Sequence, residues 1–371
     1  MNFDHYAIVA PDPVFLRIGH LSIQWYAIFI LTGVVLALFV SIREGKKKGF
    51  ERDLFENLVL AGLPLCILGA RLYFVLFNNL AWYLSNPGQI LAIWQGGLAI
   101  HGAIIAAGLY AWWYLKRKKM PILPILDIAA VGFFIGQIIG RFGNFMNQEA
   151  HGGVVYGANL DAQREFLTSL LMPTLIVNGM FINGNYHHPT FLYEAIWNVI
   201  GLLIAVFILR RLSKLLIGEI AAFYLIWYSF GRMFIEALRT DSLMIGPLRM
   251  AQVISVVAII GVTIVVIYRR KQEKEMMLYS TFQLADWQGQ QKQSKKHRTK
   301  TQSSKHNQLR NKAQHQNPDK LSNENQPQSQ TIHTQTNKPP QHQIKSKNVN
   351  QNQNKPQNKN KKNNKKRKKK R

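Results

Sequence analysis

Seven stretches of the chain, 20–42, 55–77, 97–115, 121–147, 189–209, 218–238 and 250–268, are apolar for long enough to cross a bilayer. A helical crossing takes about 20 mainly apolar residues. The polar connections between the stretches alternate in kind. REGKKKGFERD follows the first, KRKKM the third and RRLSK the fifth, and YRRK closes the seventh. NNLAWYLSNPGQ, the long segment 148–188 and TDSLMIGPLR are poor in Lys and Arg. Basic loops stay on the cytoplasmic side. The pattern therefore predicts an all-α polytopic membrane protein with seven transmembrane helices, its N-terminus outside and its C-terminus cytoplasmic. The residues ahead of the first stretch, MNFDHYAIVAPDP, are acidic rather than basic, and no small-residue cleavage site follows, which argues against a cleavable signal.

Polar residues interrupt the stretches at one depth, toward their outer ends. They are Tyr26, Arg71, His101, Arg141 with Asn144, the pair Tyr193 and Glu194, and the series Tyr228, Arg232, Glu236 and Arg239; Glu149 lies just beyond the fourth stretch. The series steps i, i+4, i+8, i+11 and so shares a helix face. Gln137, Arg141, Asn144 and Gln148 make a similar stripe, and Gly132, Gly136 and Gly140 form a small-residue ridge suited to close helix approach. A charge at mid-bilayer costs about 2.5–3.5 kcal/mol on insertion scales, so such residues face a bundle interior or a wet cavity. Six stretches contributing at one depth suggest a shared cavity opening toward the outer leaflet. Plainer readings exist for single residues. Arg232 and Glu236 can neutralise each other, His101 can be a packed, hydrogen-bonded residue, and Tyr26 can belong to an interfacial aromatic belt.

An arginine-lined cavity suits an anionic headgroup, because the guanidinium fork matches phosphate oxygens and stays charged. Asn144 and Asn147 can bond glycerol hydroxyls or ester carbonyls. His101 can accept a proton near neutral pH, and Glu149 or Glu236 can orient a partner or act as base. GxSxG, P-loop and HExxH motifs are absent, which leaves serine hydrolysis, nucleotide hydrolysis and zinc proteolysis unsupported. His151, His187 and His188 lie near Glu149 without ligand-like spacing, so no metal is expected, and no cofactor motif is present.

The net charge of +27 on 371 residues first suggests nucleic acid. Its location argues otherwise. Residues 291–371 hold 23 Lys+Arg against Asp319 and Glu324, leaving the rest of the chain close to balance. From about residue 283 the chain is Gln, Asn, Lys, Ser and His, too polar to bury a core. Two parts are thus expected: a transmembrane domain over 1–275 and a disordered basic cytoplasmic tail over 276–371. The tail is expected on anionic inner-leaflet lipids, with nucleic acid not expected as a partner, and deletion of 291–371 is expected to leave activity intact. Cys66 is the lone cysteine, within GLPLCILGA, and reads as an inert buried thiol.

GRFGNFMNQEAHG at 140–152 resembles the signature of the prolipoprotein diacylglyceryl transferase family. IQWYAI, GARLYFVLF, WQGGLAIHGA, HPTFLYEA, GRMFIEALR and LRMAQVIS resemble that family's other segments in the same order, over about residues 10–270. Ala103 stands where the family often has a second glycine after the histidine. The resemblance implies transfer of a diacylglyceryl group from phosphatidylglycerol to the lipobox cysteine of a preprolipoprotein at the outer face of the bacterial cytoplasmic membrane. It implies Arg141, Asn144 and Gly152 as substrate contacts, with Arg141 for the lipid phosphate; Asn147 joins them by its hydrogen-bonding chemistry, and Glu236 and Arg239, by their depth alone, are expected as a substrate-contacting gate near the mouth. It implies His101, Tyr26, Arg232 and Glu149 as the catalytic set, with His101 the thiol-activating base. The 148–188 segment either receives the lipobox peptide or is a passive loop. A transporter for an anionic solute would use a similar cavity. Its usual internal repeat and two-sided access are not visible here.

Overall fold

The computed structural model describes residues 11–19, 21–240, 242–272 and 277–293. The first half runs β1 (Val14–Ile18), β2 (Leu21–Gln24), α1 (Trp25–Lys47), α2 (Arg52–Asn78), α3 (Leu80–Ser85), α4 (Ile100–Arg117) and α5 (Ile122–Met146). A cap follows: α6 (Leu160–Ser169), α7 (Thr174–Gly179), β3 (Phe181–Ile182) and β4 (Asn185–Tyr186). The chain then continues as α8 (Thr190–Leu203), α9 (Glu219–Leu238), β5 (Met244–Ile245), β6 (Leu248–Arg249) and α10 (Met250–Lys271). Each consecutive strand pair is an antiparallel hairpin.

Five helices are long and apolar enough to cross a membrane: α1, α2, α5, α10, and α8 continued to Arg211. The chain is a mostly helical, multi-pass membrane protein. α4 and α9, of 18 and 20 residues, are the other long helices and carry more polar side chains: His101, Lys116 and Arg117 on α4, and Glu219, Arg232 and Glu236 on α9. The first expected stretch begins differently. LSIQ at 21–24 alternates apolar and polar residues and pairs with β1, so α1 starts at Trp25 and runs on to Lys46 and Lys47. Basic residues in a last turn face the negative end of the helix dipole. The same holds for Lys116 and Arg117 on α4 and Arg269, Arg270 and Lys271 on α10. These termini and the loops beside them form a basic end of the bundle. The opposite end carries the cap.

α5 is the central helix, packed against α1, α8 and α9, while α2 pairs with α4 and α9 with α10. The α1–α5 contact uses two of the three ridge glycines. A Cβ on Gly33 would lie 3.2 Å from the Gly136 Cα, and Gly132 sits as close to Ala37; Gly140 faces open space. α8 and α9 are locked by Trp197 and Trp227. Each indole N–H donates to the other's carbonyl at 2.9 Å, and the rings stack 4.3 Å apart. α8 then loosens into a π turn, Ile204–Ile208, and a 3-10 turn, Leu209–Arg211, bringing Arg210 to 3.0 Å from Glu44 of α1. The fully buried Asp127 of α5 accepts from the main-chain N–H of Gly218 (2.5 Å) and Ala221 (2.9 Å), capping α9 from a neighbouring helix.

Residues 277–293 are folded onto the basic end, where Tyr279, Phe282 and Leu284 are buried against the cores containing Phe50, Phe55, Leu115, Ile128 and Leu215. Main-chain bonds hold the segment, Tyr279 N–H to Leu215 O (2.7 Å), Ile217 N–H to Met277 O (3.2 Å) and Leu284 N–H to Lys48 O (3.0 Å). The Lys48 ammonium donates to the Tyr279 carbonyl at 2.5 Å and lies over its ring. Burial, then neighbouring Arg210, holds that lysine below its ordinary pKa. Three apolar side chains within LYSTFQLADW outweigh the polar composition around them. The tail expectation for 294–371 lies outside the described residues. Cys66 is a free thiol, partly rather than fully buried.

Candidate active site

α5 brings Arg141 and Asn144 to its last turns on one face, and Asn147 is its C-cap. The chain then makes a tight turn in which Gln148 (φ 48°) and Ala150 (φ 57°) both take left-handed backbone on either side of Glu149. Non-glycine residues in that region are strained and cluster at functional sites. The turn is held from three sides. Glu149 N–H donates to Asn144 O (3.0 Å), the Gln148 amide donates to Gly179 O (3.0 Å) in the cap, and the Thr190 hydroxyl donates to Ala150 O (2.5 Å). Asn144 Nδ2 in turn donates to Glu149 Oε1 at 2.9 Å.

From this turn a charged chain crosses three helices. Arg141 contacts Asn144 Oδ1 (3.4 Å) through Nη1 and forms an ion pair with Glu194 of α8 (2.6 Å) through Nη2. The other oxygen of Glu194 pairs with Arg232 of α9 (2.8 Å), and Arg232 also pairs with Glu236 one turn on. Arg249, at the end of β6, donates to the Glu236 carbonyl. Glu194 is 4% exposed, and both arginines are mostly buried. Removing Glu194 would leave Arg141 a buried charge without its carboxylate, whereas Glu194 keeps one arginine when the other is removed. The Arg232–Glu236 pair is present, as the plainer reading has it, yet it is one link of a longer chain rather than a closed couple.

Gly152 and Arg239 pair across an isolated antiparallel bridge, with Gly152 N–H to His188 O (2.9 Å) and Gly153 N–H to Leu238 O (3.0 Å). Only glycine fits there, since a Cβ would come within 2.7 Å of the His188 Cβ. The Gly152 carbonyl lies within hydrogen-bonding distance of Nδ1 of both His151 (2.9 Å) and His187 (2.8 Å). His188 contacts the Tyr193 hydroxyl (3.2 Å), and its pKa is lowered by burial first and by His187 second. Tyr26, in the first turn of α1, packs its ring against Gly143 of α5, two residues from Arg141. A small pocket lies between Asn144, Gln148, Glu149, His151 and Phe191.

Of the sequence-predicted residues, Arg141, Asn144, Glu149, Arg232 and Glu236 thus belong to one connected network, with Tyr26, Asn147, Gly152 and Arg239 on its flanks. His101 is different. It is exposed at the start of α4 and stacks on Tyr73 of α2 at 5.7 Å. Among the described residues no hydrogen bond or ion pair joins it to the arginine chain. Arg71 also departs from expectation, spending its guanidinium on main-chain carbonyls rather than in a shared cavity. Arg249 is the network member that sequence reasoning did not single out, and Glu194, noted there only among the polar residues at one depth, was given no role. Their signals were an acid in the first turns of an apolar helix and an arginine immediately before α10.

The family described as prolipoprotein diacylglyceryl transferase matches residues 13–268. A Bacillus cereus (strain G9842) protein described as phosphatidylglycerol–prolipoprotein diacylglyceryl transferase is 46% identical over 269 residues, 72% of this chain and 96% of its own length. A Bacillus anthracis protein of the same description is equally similar, and one from Bacillus cereus (strain Q1) is 47% identical over 260 residues, 70% of this chain and 93% of its own. Arg141, Asn144, Glu149, Gly152, Arg232 and Glu236 all lie within the matched region. The chain belongs to the prolipoprotein diacylglyceryl transferase family.

Proposed function

We propose that the protein transfers a diacylglyceryl group from phosphatidylglycerol to the lipobox cysteine of a preprolipoprotein, the first step of bacterial lipoprotein maturation. The cysteine sulfur attacks the glyceryl carbon that carries the phosphodiester oxygen. The C–S bond forms as the C–O bond breaks, and the electron pair leaves on the oxygen of glycerol phosphate; the thiol proton goes first to the base and is then returned to the released glycerol phosphate, which restores the base. No metal or cofactor is needed in this balance.

The observation that carries the reading is the Arg141–Glu194–Arg232 chain beside the strained Gln148–Ala150 turn. Two guanidiniums share one carboxylate, so a phosphate can take over one edge of either fork with little rearrangement. Arg141 holds the lipid phosphate, and Arg232 stabilises the charge that grows on the leaving oxygen. Asn144 and Asn147 bond the headgroup or ester oxygens, Glu149 orients Asn144, and Tyr26 closes the site from α1. Gly152 with Arg239, next to Glu236, forms the rim through which substrate passes. His101 is the proton acceptor for the thiol, whose ordinary pKa of about 8.5 leaves it mostly protonated at neutral pH. Its exposure leaves it reachable by a peptide.

The same reading has α4 and α9 span the membrane with the other five long helices. The N-terminus then lies outside, the basic end in the cytoplasm and the arginine chain at the outer leaflet of the cytoplasmic membrane. The even placement of basic last turns supports this orientation. The cap over 148–188 receives the lipobox segment, and the basic tail lies on anionic inner-leaflet lipids.

The test is a transfer assay with labelled phosphatidylglycerol and a lipobox peptide, run on the wild type, Arg141→Ala and His101→Ala. Label on the peptide from the wild type but not from Arg141→Ala is expected. A His101→Ala protein that keeps its activity would remove the base assignment and leave the transferase standing. A folded wild type that labels no peptide would overturn the function itself.

A further inference from the structure

Arg71 is a buried cation with no carboxylate partner among the described residues. It is 2% exposed and sits in the second half of α2. Its Nε donates to Ile90 O (2.9 Å), its Nη1 to Gly96 O (2.7 Å) and Gly97 O (3.2 Å), and its Nη2 to Gln89 O (2.7 Å). The guanidinium carbon also lies over the rings of Phe74 and Tyr83. All three guanidinium nitrogens are therefore spent on a single piece of main chain, the irregular segment between α3 and α4. A phosphate ligand would need at least one free edge of the fork.

That segment leads into α4, whose second residue is His101. The residue just before Arg71 in α2 completes the tie, because Ala70 O accepts from Ala99 N–H at 3.1 Å. The His101 ring then stacks on Tyr73. Gly97 (φ +69°) fits against the guanidinium only because it lacks a side chain. A Cβ there would lie 2.5 Å from Arg71 Nη1 and 2.6 Å from the Phe74 ring. Residues 70–73 of α2 and 89–101 are thus one docked unit. Its only polar fastening to the helix is the Arg71 fork and the Ala70 carbonyl, among the described residues. We propose that Arg71 is a positioning residue, which fixes the segment leading into α4 and thereby the place of His101 in the transfer reaction. This rests on the reading of His101 as the proton acceptor.

The experiment has a structural and a kinetic arm, both on the full chain in its membrane or in lipid nanodiscs. In a Cys66→Ala background, a nitroxide on Leu98→Cys reports segment mobility without reference to activity. Arg71→Gln is expected to sharpen that spectrum, and Arg71→Lys to do so less. Kinetically, Arg71→Gln should lower kcat by up to about a hundred-fold, the scale on which a misplaced group costs rate, with KM for phosphatidylglycerol changed less than about two-fold. The double variant with His101→Gln should be no slower than His101→Gln alone, because both changes remove one function. A purely structural role would instead lower the amount of folded protein and leave kcat per folded molecule intact. Gly97→Ala, which pushes on the same contact, serves if Arg71→Gln does not accumulate. Unchanged mobility, additive losses, or a rise in KM with kcat preserved would each overturn the proposal while leaving His101 as base. Full activity of His101→Gln alone would sink the base reading, and the positioning role with it.

Discussion

Two buried carboxylates, Asp127 at the basic end and Glu194 at the site end, are satisfied in opposite ways. At the basic end, Asp127 spends its carboxylate on the main-chain N–H groups of Gly218 and Ala221, and Glu219 accepts from Leu216 N–H as well as pairing with Arg270. At the site end, Arg141, Glu194, Arg232 and Glu236 satisfy one another through side chains. A main-chain partner cannot leave without unfolding a helix start or a loop. A side-chain partner can be exchanged for a ligand oxygen at the cost of a rotamer change. Charge held by backbone therefore builds the frame, and charge held by other side chains remains available for chemistry.

The largest effect expected from this contrast is at Arg141. Arg141→Ala should cut transfer about 10³-fold, on the scale of losing one preorganised charge stabiliser, with membrane insertion and thermal midpoint little changed. A comparable loss of folded protein would place Arg141 with the frame instead. Phe282→Ala should act the other way, removing about 3–5 kcal/mol of stability as large aromatic truncations in cores do, with kcat per folded molecule unchanged. Truncation after position 276 should behave like Phe282→Ala, whereas truncation after Gln290 should be silent in both assays. Glu194→Gln keeps the shape but removes the charge shared by two arginines, and should lower transfer about 10²-fold, as loss of a charge partner in a preorganised site does. Asp127→Asn should cost about 1–3 kcal/mol of stability, the range for weakening a buried hydrogen-bonded group, and leave KM for phosphatidylglycerol as it was.

The smallest effect concerns pH. Burial and His187 depress the His188 pKa in the folded protein, so the folded state holds this imidazole neutral. Its stabilising contribution is complete above the unfolded value of about 6.5 and is lost as pH falls toward the lower folded value. The thermal midpoint of the wild type should therefore fall between pH 7.5 and 5.5 by more than that of His188→Gln. Equal slopes would mean that the His188 environment does not discriminate between protonation states.

Much of this arrangement was readable before any coordinates. The helix stretches followed from apolar run length, and Arg141, Asn144, Glu149 and Gly152 stood together in one motif because they occupy one helix end and the turn after it. What could not be read depends on which partner a charge meets across the fold. Arg71 and Arg141 look alike in sequence, each an arginine in an apolar helix following a small residue. The carbonyls that claim Arg71 lie 18–26 residues further on, in a segment with no regular pattern. Glu194 was visible as an acid at a helix start, yet its role as the bridge between α5 and α9 is set by helix packing. The folded segment after α10 was hidden by its neighbours' composition, although Tyr279, Phe282 and Leu284 are spaced closely enough to have raised the question.

The indole pair that locks α8 to α9 has an optical consequence. Trp197 and Trp227 stack 4.3 Å apart with their planes 13° from parallel, so their near-ultraviolet transitions couple. Glu194 and Arg232, the two residues whose pairing a phosphate would disturb, lie about one helical turn from these indoles, on the same two helices. The molecule thus carries a built-in circular-dichroism reporter for the separation of the helices that hold Glu194 and Arg232, and it can be followed without attaching a label.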